Sequence, residues 1–392
     1  MNLSAFLTIK SKVRLQPEAL DPLFFTNCNI NPYTYYNIPD FGSVVRSKND
    51  FPRYLEKELI RLGYERQSGK KQTSLLSFVS SDKKSSAKRT KKFVLSVGGG
   101  VTDCYQPLEK EFQVMRKIIK LLIDYQIPGF FLTKSTLIER DLDLIGELHD
   151  RSYASVNFSC AFKDGPDKNI HEPASPSIAR RFETLKKFTA AGIPGGVLAM
   201  PILPFIADTD ETLDYLVKSA KEAKAQYMIT SGLTLKPGNR ELFLAKIKDH
   251  YPQLLEKYEQ MFPENNTYGF PKITDNSMNV TAKAHVLCKK YGLYPRVKRY
   301  VPDGCNVDNY RFTEKLWYIH YLKKWVLQDC SYSLDKDFKE LTTNIDTFQY
   351  SITSLTYDEF SYFIKNHTQY VQNLAFELFE TGDSKERNRL SL

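Results

Sequence analysis

Phe93-Val-Leu-Ser-Val-Gly-Gly-Gly-Val-Thr-Asp-Cys-Tyr-Gln-Pro-Leu-Glu-Lys110 is the stretch on which the reading of this 392-residue chain turns. A short apolar run stops at the polar turn Thr102-Asp103-Cys104-Tyr105-Gln106, and Pro107 follows. A run of that length suits a buried strand. Proline suits a first helical position, where its missing N–H would be unpaired in any case. The stretch therefore predicts a strand, then a helix from Leu108, with polar side chains displayed at the strand's carboxyl end. In strand-helix proteins that edge usually carries the chemistry.

Working outward, the same alternation recurs. A first unit pairs a strand at Phe24 to Asn31 with a helix from Asp50 to Leu62, where Leu55, Leu59 and Leu62 share one face. After the opening stretch come a helix over 107–125, a strand over 129–134, a helix over 136–150 and a strand over 154–161. Pro176 opens a helix ending at Gly192; a strand over 196–204, a helix over 208–224 and a strand over 227–233 follow. Thr234-Leu235-Lys236-Pro237-Gly238 then leads into another helix. Six such units imply a parallel sheet, because parallel neighbours need crossover connections. No acidic residue follows a glycine-rich turn at dinucleotide-binding spacing. The expected fold is accordingly α/β, a partial (βα)6 TIM-like barrel over 24–264, with an extended entry segment at 1–23.

Residues 265–392 read as a mainly helical C-terminal extension, with helices over 277–291 and 311–328 and a polar tail from Thr381. Trp317, Tyr318, Tyr321, Leu322, Trp325 and Val326 form an aromatic stripe at helical spacing. Such a stripe packs a core or offers a stacking surface for bases. Residues 66–92 hold nine Lys or Arg and seven Ser against the single acidic Asp82. They read as a surface loop or as a basic arm for a phosphate backbone.

A hydrophobic fraction of 42% is enough for a sizeable core, and the formal charge of +9 points towards a polyanion such as nucleic acid. The six cysteines, at 28, 104, 160, 288, 305 and 330, have no Cys-x-x-Cys pair, so a reduced, cytoplasmic setting is expected. The amino terminus lacks a long apolar core. The longest apolar stretch, Ile193 to Ala207, is broken by glycines and prolines, so no membrane association is expected. His149, His171, His250, His285, His320 and His367 are scattered, and no Ser-His-Asp or Cys-His arrangement is visible.

In order, the polar turns resemble a known family. The segments are Asn31-Pro32-Tyr33, Thr102-Asp103-Cys104-Tyr105-Gln106-Pro107-Leu108-Glu109, Leu132-Thr133-Lys134-Ser135 with Arg140-Asp141-Leu142-Asp143-Leu144, and Glu172-Pro173-Ala174-Ser175-Pro176 with Arg181. Ala191-Gly192-Ile193-Pro194, Pro201-Ile202-Leu203-Pro204 and Leu233-Thr234-Leu235-Lys236-Pro237-Gly238 complete the set. Over roughly residues 20–265 the chain resembles the spore photoproduct lyase-like branch of the radical S-adenosylmethionine (SAM) superfamily, related to DNA repair photolyase-like proteins.

The resemblance implies a lyase-like enzyme that binds SAM and a 4Fe-4S cluster at the carboxyl ends of its strands. A reductant such as flavodoxin or ferredoxin would drive cleavage of SAM to a 5′-deoxyadenosyl radical, which would act on nucleic acid or another anionic substrate. It also implies cofactor-binding roles. Lys134 would meet the SAM carboxylate, Asp103, Gln106 and Glu109 its amine, and Asn157 and Ser159, alternating on one strand face, would offer hydrogen bonds. Asp103 has the alternative of capping the next helix. Tyr33, Tyr105 and Lys236 are substrate-facing candidates; Tyr105 has the alternative of packing on Pro107, and Lys236 of standing in water.

The chain departs from the family where the cluster would be bound. A Cys-x3-Cys-x2-Cys loop should follow Tyr33, yet Thr34 to Gly42 contains no cysteine, while the flanks still match. That pattern reads as excision of about a dozen residues. Because 4Fe-4S clusters are held by cysteine thiolates, no such cluster is expected to assemble on this chain. Two readings follow: a radical SAM enzyme that has lost its loop, or a cluster-less relative that binds SAM or nucleic acid without catalysis. Cys104, where the family commonly has proline, reads as a small partly buried thiol or as a stray ligand.

Overall fold

The structure, a computed structural model, describes residues 6–8, 28–30, 33–34, 45–67, 94–98, 103–236, 238–264, 269–272, 280–302, 304–327 and 335–383. The segment 35–44, nearly all of the basic run 66–92, and the tail beyond 383 lie outside the described residues. The elements in order are β1 (Phe6–Thr8), β2 (Cys28–Ile30), β3 (Tyr33–Thr34), β4 (Val45–Ser47), α1 (Phe51–Arg61), β5 (Leu95–Val97), α2 (Glu109–Phe112) and α3 (Val114–Tyr125). Then come β6 (Gly129–Thr133), α4 (Leu142–Arg151), β7 (Ala154–Ser159), α5 (Pro166–His171), α6 (Ile178–Ala190), β8 (Gly195–Ile202), α7 (Asp210–Glu222) and β9 (Tyr227–Gly232). The remaining helices are α8 (Asn239–His250), α9 (Leu255–Met261), α10 (Val280–Tyr291), α11 (Val307–Tyr321), α12 (Asp335–Thr347), α13 (Tyr357–Ile364) and α14 (Gln369–Asp383).

The fold is mixed α/β, with β2-β5-β6-β7 adjacent in chain order in one unit and β8-β9 adjacent in the other. The chain divides into two compact units.

The first unit comprises residues 1–21, 25–158 and 183–195. It contains β2, β5, β6 and β7, paired in parallel with Cys28 opposite Leu95, Leu95 opposite Gly129, and Gly129 opposite Ala154. Every residue of β7 is buried, as expected of a parallel strand covered on both faces. A small sheet sets β4 between β1, which runs parallel to it, and β3, which runs antiparallel.

The helix expected over 107–125 is two helices. Gln113, at a left-handed φ of 49°, separates α2 from α3. The cause is Glu109, whose buried carboxylate accepts from the Met115 N–H (3.0 Å), one of the unpaired donors at the start of α3. The periodicity that suggested one helix belongs to α3 alone: Val114, Met115, Ile118, Ile119, Leu122 and Tyr125 are buried. The helix expected over 136–150 begins instead with a 3-10 turn at Thr136–Asp141, capped by the Ser135 hydroxyl.

The second unit comprises residues 22–24, 159–182 and 196–392. In it β8 and β9 pair in parallel, Gly196 opposite Tyr227, with an irregularity between Ala199 and Ile202. Helices α11, α12 and α14 carry much of its core. Trp317 packs edge-on to Phe338 with centroids 4.6 Å apart, so at Trp317 and Tyr318 the aromatic stripe is core. No described helix is long and apolar enough to cross a membrane.

Candidate functional site

In the first unit the polar turn after β5 is joined to the end of β6. Asp103 Oδ1 accepts from the Tyr105 N–H (2.8 Å) and from the Thr133 hydroxyl (2.5 Å), and its Oδ2 accepts from the Lys134 N–H (2.6 Å). The Thr133 hydroxyl in turn accepts from the Ser135 N–H (2.9 Å). A carboxylate with three donors thus fixes two neighbouring strand ends, thirty residues apart in sequence. Lys134, half-buried, leaves this joint at the carboxyl end of β6.

Gly98 makes the close approach possible. Its φ is +85°, and a Cβ there would stand 2.2 Å from the Leu132 carbonyl oxygen and 2.8 Å from Cys104 Sγ. Cys104 is fully buried, its sulfur 3.6 Å from that same carbonyl, and burial pushes its thiol well above the usual range.

Beneath the joint lies a buried ion network. Tyr105 is 1% exposed and donates its hydroxyl to Asp141 Oδ2 (3.2 Å). Asp141 also accepts from Arg116 (2.8 Å) and Arg140 (2.8 and 2.9 Å), while Arg140 reaches Glu109 Oε1 at 2.7 Å. Neither Glu109 nor Asp141 has exposed surface. Removing two carboxylates from water is costly unless each is paired and hydrogen-bonded; here both are. Burial, then the Asp141 charge, pushes the Tyr105 hydroxyl well above its usual range. In this arrangement Glu109 and Tyr105 brace the turn from inside, and Gln106 is half-buried within it.

Asn157 is wholly buried; its amide donates to the carbonyls of Phe131 and Ser155 and faces the Ser155 hydroxyl. Tyr33 is opposite Ser47 in the small sheet, and its side chain lies outside the described residues.

The second unit holds Ser159 and Lys236. The Ser159 hydroxyl donates to the Met200 carbonyl (3.2 Å), and Lys236 is exposed in the turn after β9. Arg181, which has no exposed surface, clamps the Glu172–Pro176 turn to the end of β7. Its guanidinium donates to the Ser159 carbonyl (2.6 Å), Glu172 Oε2 (2.5 Å), the Ser175 hydroxyl (2.7 Å) and the Pro176 carbonyl (3.0 Å).

Five of the first unit's candidates thus fall into three groups. Asp103 and Lys134 are linked directly, Glu109 and Tyr105 belong to the ion network, and Asn157 bonds within the sheet. Sequence reasoning gave no role to Thr133, Arg116 or Asp141. Arg140 and Asp141 did stand in a matching segment, and an Arg-Asp pair inside a predicted helix was the available signal.

The described residues do not bring three thiolates together for a cluster. Tyr33 and Thr34 pair directly with Ser47 and Arg46, and the sequence between them contains no cysteine. Cys104, Cys160 and Cys288 are each fully buried as free thiols. Among the described residues no three His, Cys, Asp or Glu side chains are grouped to hold a metal ion.

No family model matches the chain. It is 32% identical over 164 residues to an uncharacterized protein of Mycobacterium tuberculosis strain H37Rv, covering 42% of this chain and 48% of that protein. An uncharacterized protein of Methanocaldococcus jannaschii is 30% identical over 191 residues, 48% of this chain and 66% of its own. The chain therefore spans about half the length of the mycobacterial relatives it matches. Among solved structures, a spore photoproduct lyase mutant is similar with a TM-score of 0.46 and 11% identity, over 74% of this chain and 80% of its own. Spore photoproduct lyase complexed with dinucleoside spore photoproduct is similar with a TM-score of 0.43 and 12% identity, over 64% and 66%.

Proposed function

We propose that this chain is a relative of the spore photoproduct lyase-like radical SAM proteins that binds SAM at the carboxyl edge of a partial barrel without a three-thiolate cluster. The observation that carries the reading is the direct pairing of β3 with β4 on either side of a cysteine-free sequence, in a chain that keeps the matching polar turns. Lys134 supplies a compact positive charge for the SAM carboxylate, and half-buried Gln106 lies in the neighbouring turn. Asn157 and Ser159 are hydrogen-bonding candidates on one strand in this reading, and exposed Lys236 suits a phosphate or carboxylate of a second, anionic partner. With a charge of +9, that partner is nucleic acid in this reading, held chiefly through its backbone.

Anaerobic reconstitution with iron and sulfide tests the cluster-free claim. The account expects no stable cluster; about four irons per chain with a broad absorbance in the blue would sink it. A second reading, radical cleavage of SAM driven by a flavodoxin- or ferredoxin-like reductant, is favoured by the intact flanks of the missing loop. It expects the encoding genomic DNA to carry an in-frame Cys-x3-Cys-x2-Cys segment after Tyr33.

A further inference from the structure

We infer that Asp103 is a positioning residue for Lys134 rather than a group that touches the ligand; this rests on the SAM-binding reading above. Asp103 gathers three donors of its own fold: Oδ1 accepts from the Tyr105 N–H and the Thr133 hydroxyl, and Oδ2 from the Lys134 N–H at 2.6 Å. The last of these bonds sets the peptide plane from which the Lys134 side chain departs. The Thr133 hydroxyl, held by Asp103, also accepts from the Ser135 N–H, so residues 133–135 are fixed as one piece. Below them Gly98 and Cys104 fill the space against the Leu132 carbonyl, which leaves the strand end little room to shift. Asp103 thus acts on a bound carboxylate through the direction it gives Lys134.

Decarboxylated SAM separates the two roles, because it keeps the amine, sulfonium and adenosyl groups and lacks only the carboxylate that Lys134 would hold. In Asp103→Asn the amide side chain can no longer accept at both oxygens. Affinity for SAM is expected to fall about tenfold, the effect of losing a charge-assisted hydrogen bond, while affinity for decarboxylated SAM stays unchanged. The losses in Asp103→Asn and Lys134→Met should also be non-additive, since both act on one contact. Equal weakening of both ligands, or additive losses, would overturn the inference and make Asp103 a direct contact.

Amide hydrogen exchange at Lys134 reads the positioning bond without any ligand. It should quicken in Asp103→Asn, and to a smaller degree in Thr133→Val, which keeps the charge and guards against a folding defect in the first variant. Unchanged exchange in both overturns the placement. Faster exchange in a protein that binds neither SAM nor its decarboxylated form would instead overturn the SAM reading while leaving the positioning bond standing.

Discussion

Gly98 and Asp103 show what single residues contribute at the β5 edge. Alanine at Gly98 would need a left-handed φ of +85° and would press its Cβ to 2.2 Å from the Leu132 carbonyl. Because that neighbour is strand backbone, it cannot turn aside as a flexible side chain could. Gly98→Ala is expected to cost about 2–4 kcal/mol, read from urea unfolding midpoints; a change below about 0.5 kcal/mol would contradict the close approach. The sequence placed Asp103 in a polar turn and offered two roles for it, a ligand contact or a helix cap. Its actual partners were illegible, because Thr133 and Lys134 reach it only once β6 lies beside β5. Lys134 itself was legible, since a charge that closes the apolar run Phe130-Phe131-Leu132 stands at a strand end wherever the strand goes.

At the scale of elements, local periodicity served well and buried polar networks escaped it. Apolar spacing identified α1, α7 and the parallel strands within a few residues. It missed the break at Gln113, because the cause is Glu109 drawn inward by Arg140, a contact across thirty-one residues. Arg181 is a similar case: its segment was recognised, but its work as a clamp was not. Arg181→Met should destabilise the second unit by about 3–5 kcal/mol, since it removes the buried charge that pairs with Glu172 and donates to the Ser159 carbonyl. Adding Glu172→Gln should restore part of that loss in the same denaturation assay.

Helix α5 ends in His171, stacked between Phe162 and Tyr251 with ring centroids 5.7 and 5.8 Å away. Burial, then the nearby Lys246 charge, pushes its imidazole down to about 4. The fold therefore favours the neutral ring, while the unfolded chain takes up a proton near the ordinary value of about 6.5. Stability from this group is full above that value and is lost as pH falls towards 4. The ring is only partly buried, so solvent screening keeps the effect modest. His171→Phe should flatten the fall in urea midpoint between pH 7 and pH 4.5; an unchanged slope would assign the acid sensitivity elsewhere.

For the whole molecule, the sequence made the α/β class and the succession of strand-helix units readable, and within each unit the strands keep that succession. How the chain gathers into compact units was not readable, since the boundary at Phe158 and Ser159 lies at the end of an unbroken buried strand. Net charge is a property of the whole chain. Binding to single-stranded or duplex nucleic acid should weaken steeply between about 50 and 200 mM salt, as followed by fluorescence anisotropy. Affinity that ignores salt would argue against a phosphate-backbone partner. Calorimetric titration of SAM into metal-free protein tests the proposed cluster-free SAM binding directly. The account predicts saturable binding without iron or sulfide, weakened in Lys134→Met; binding that emerges only after anaerobic reconstitution with iron and sulfide would contradict it.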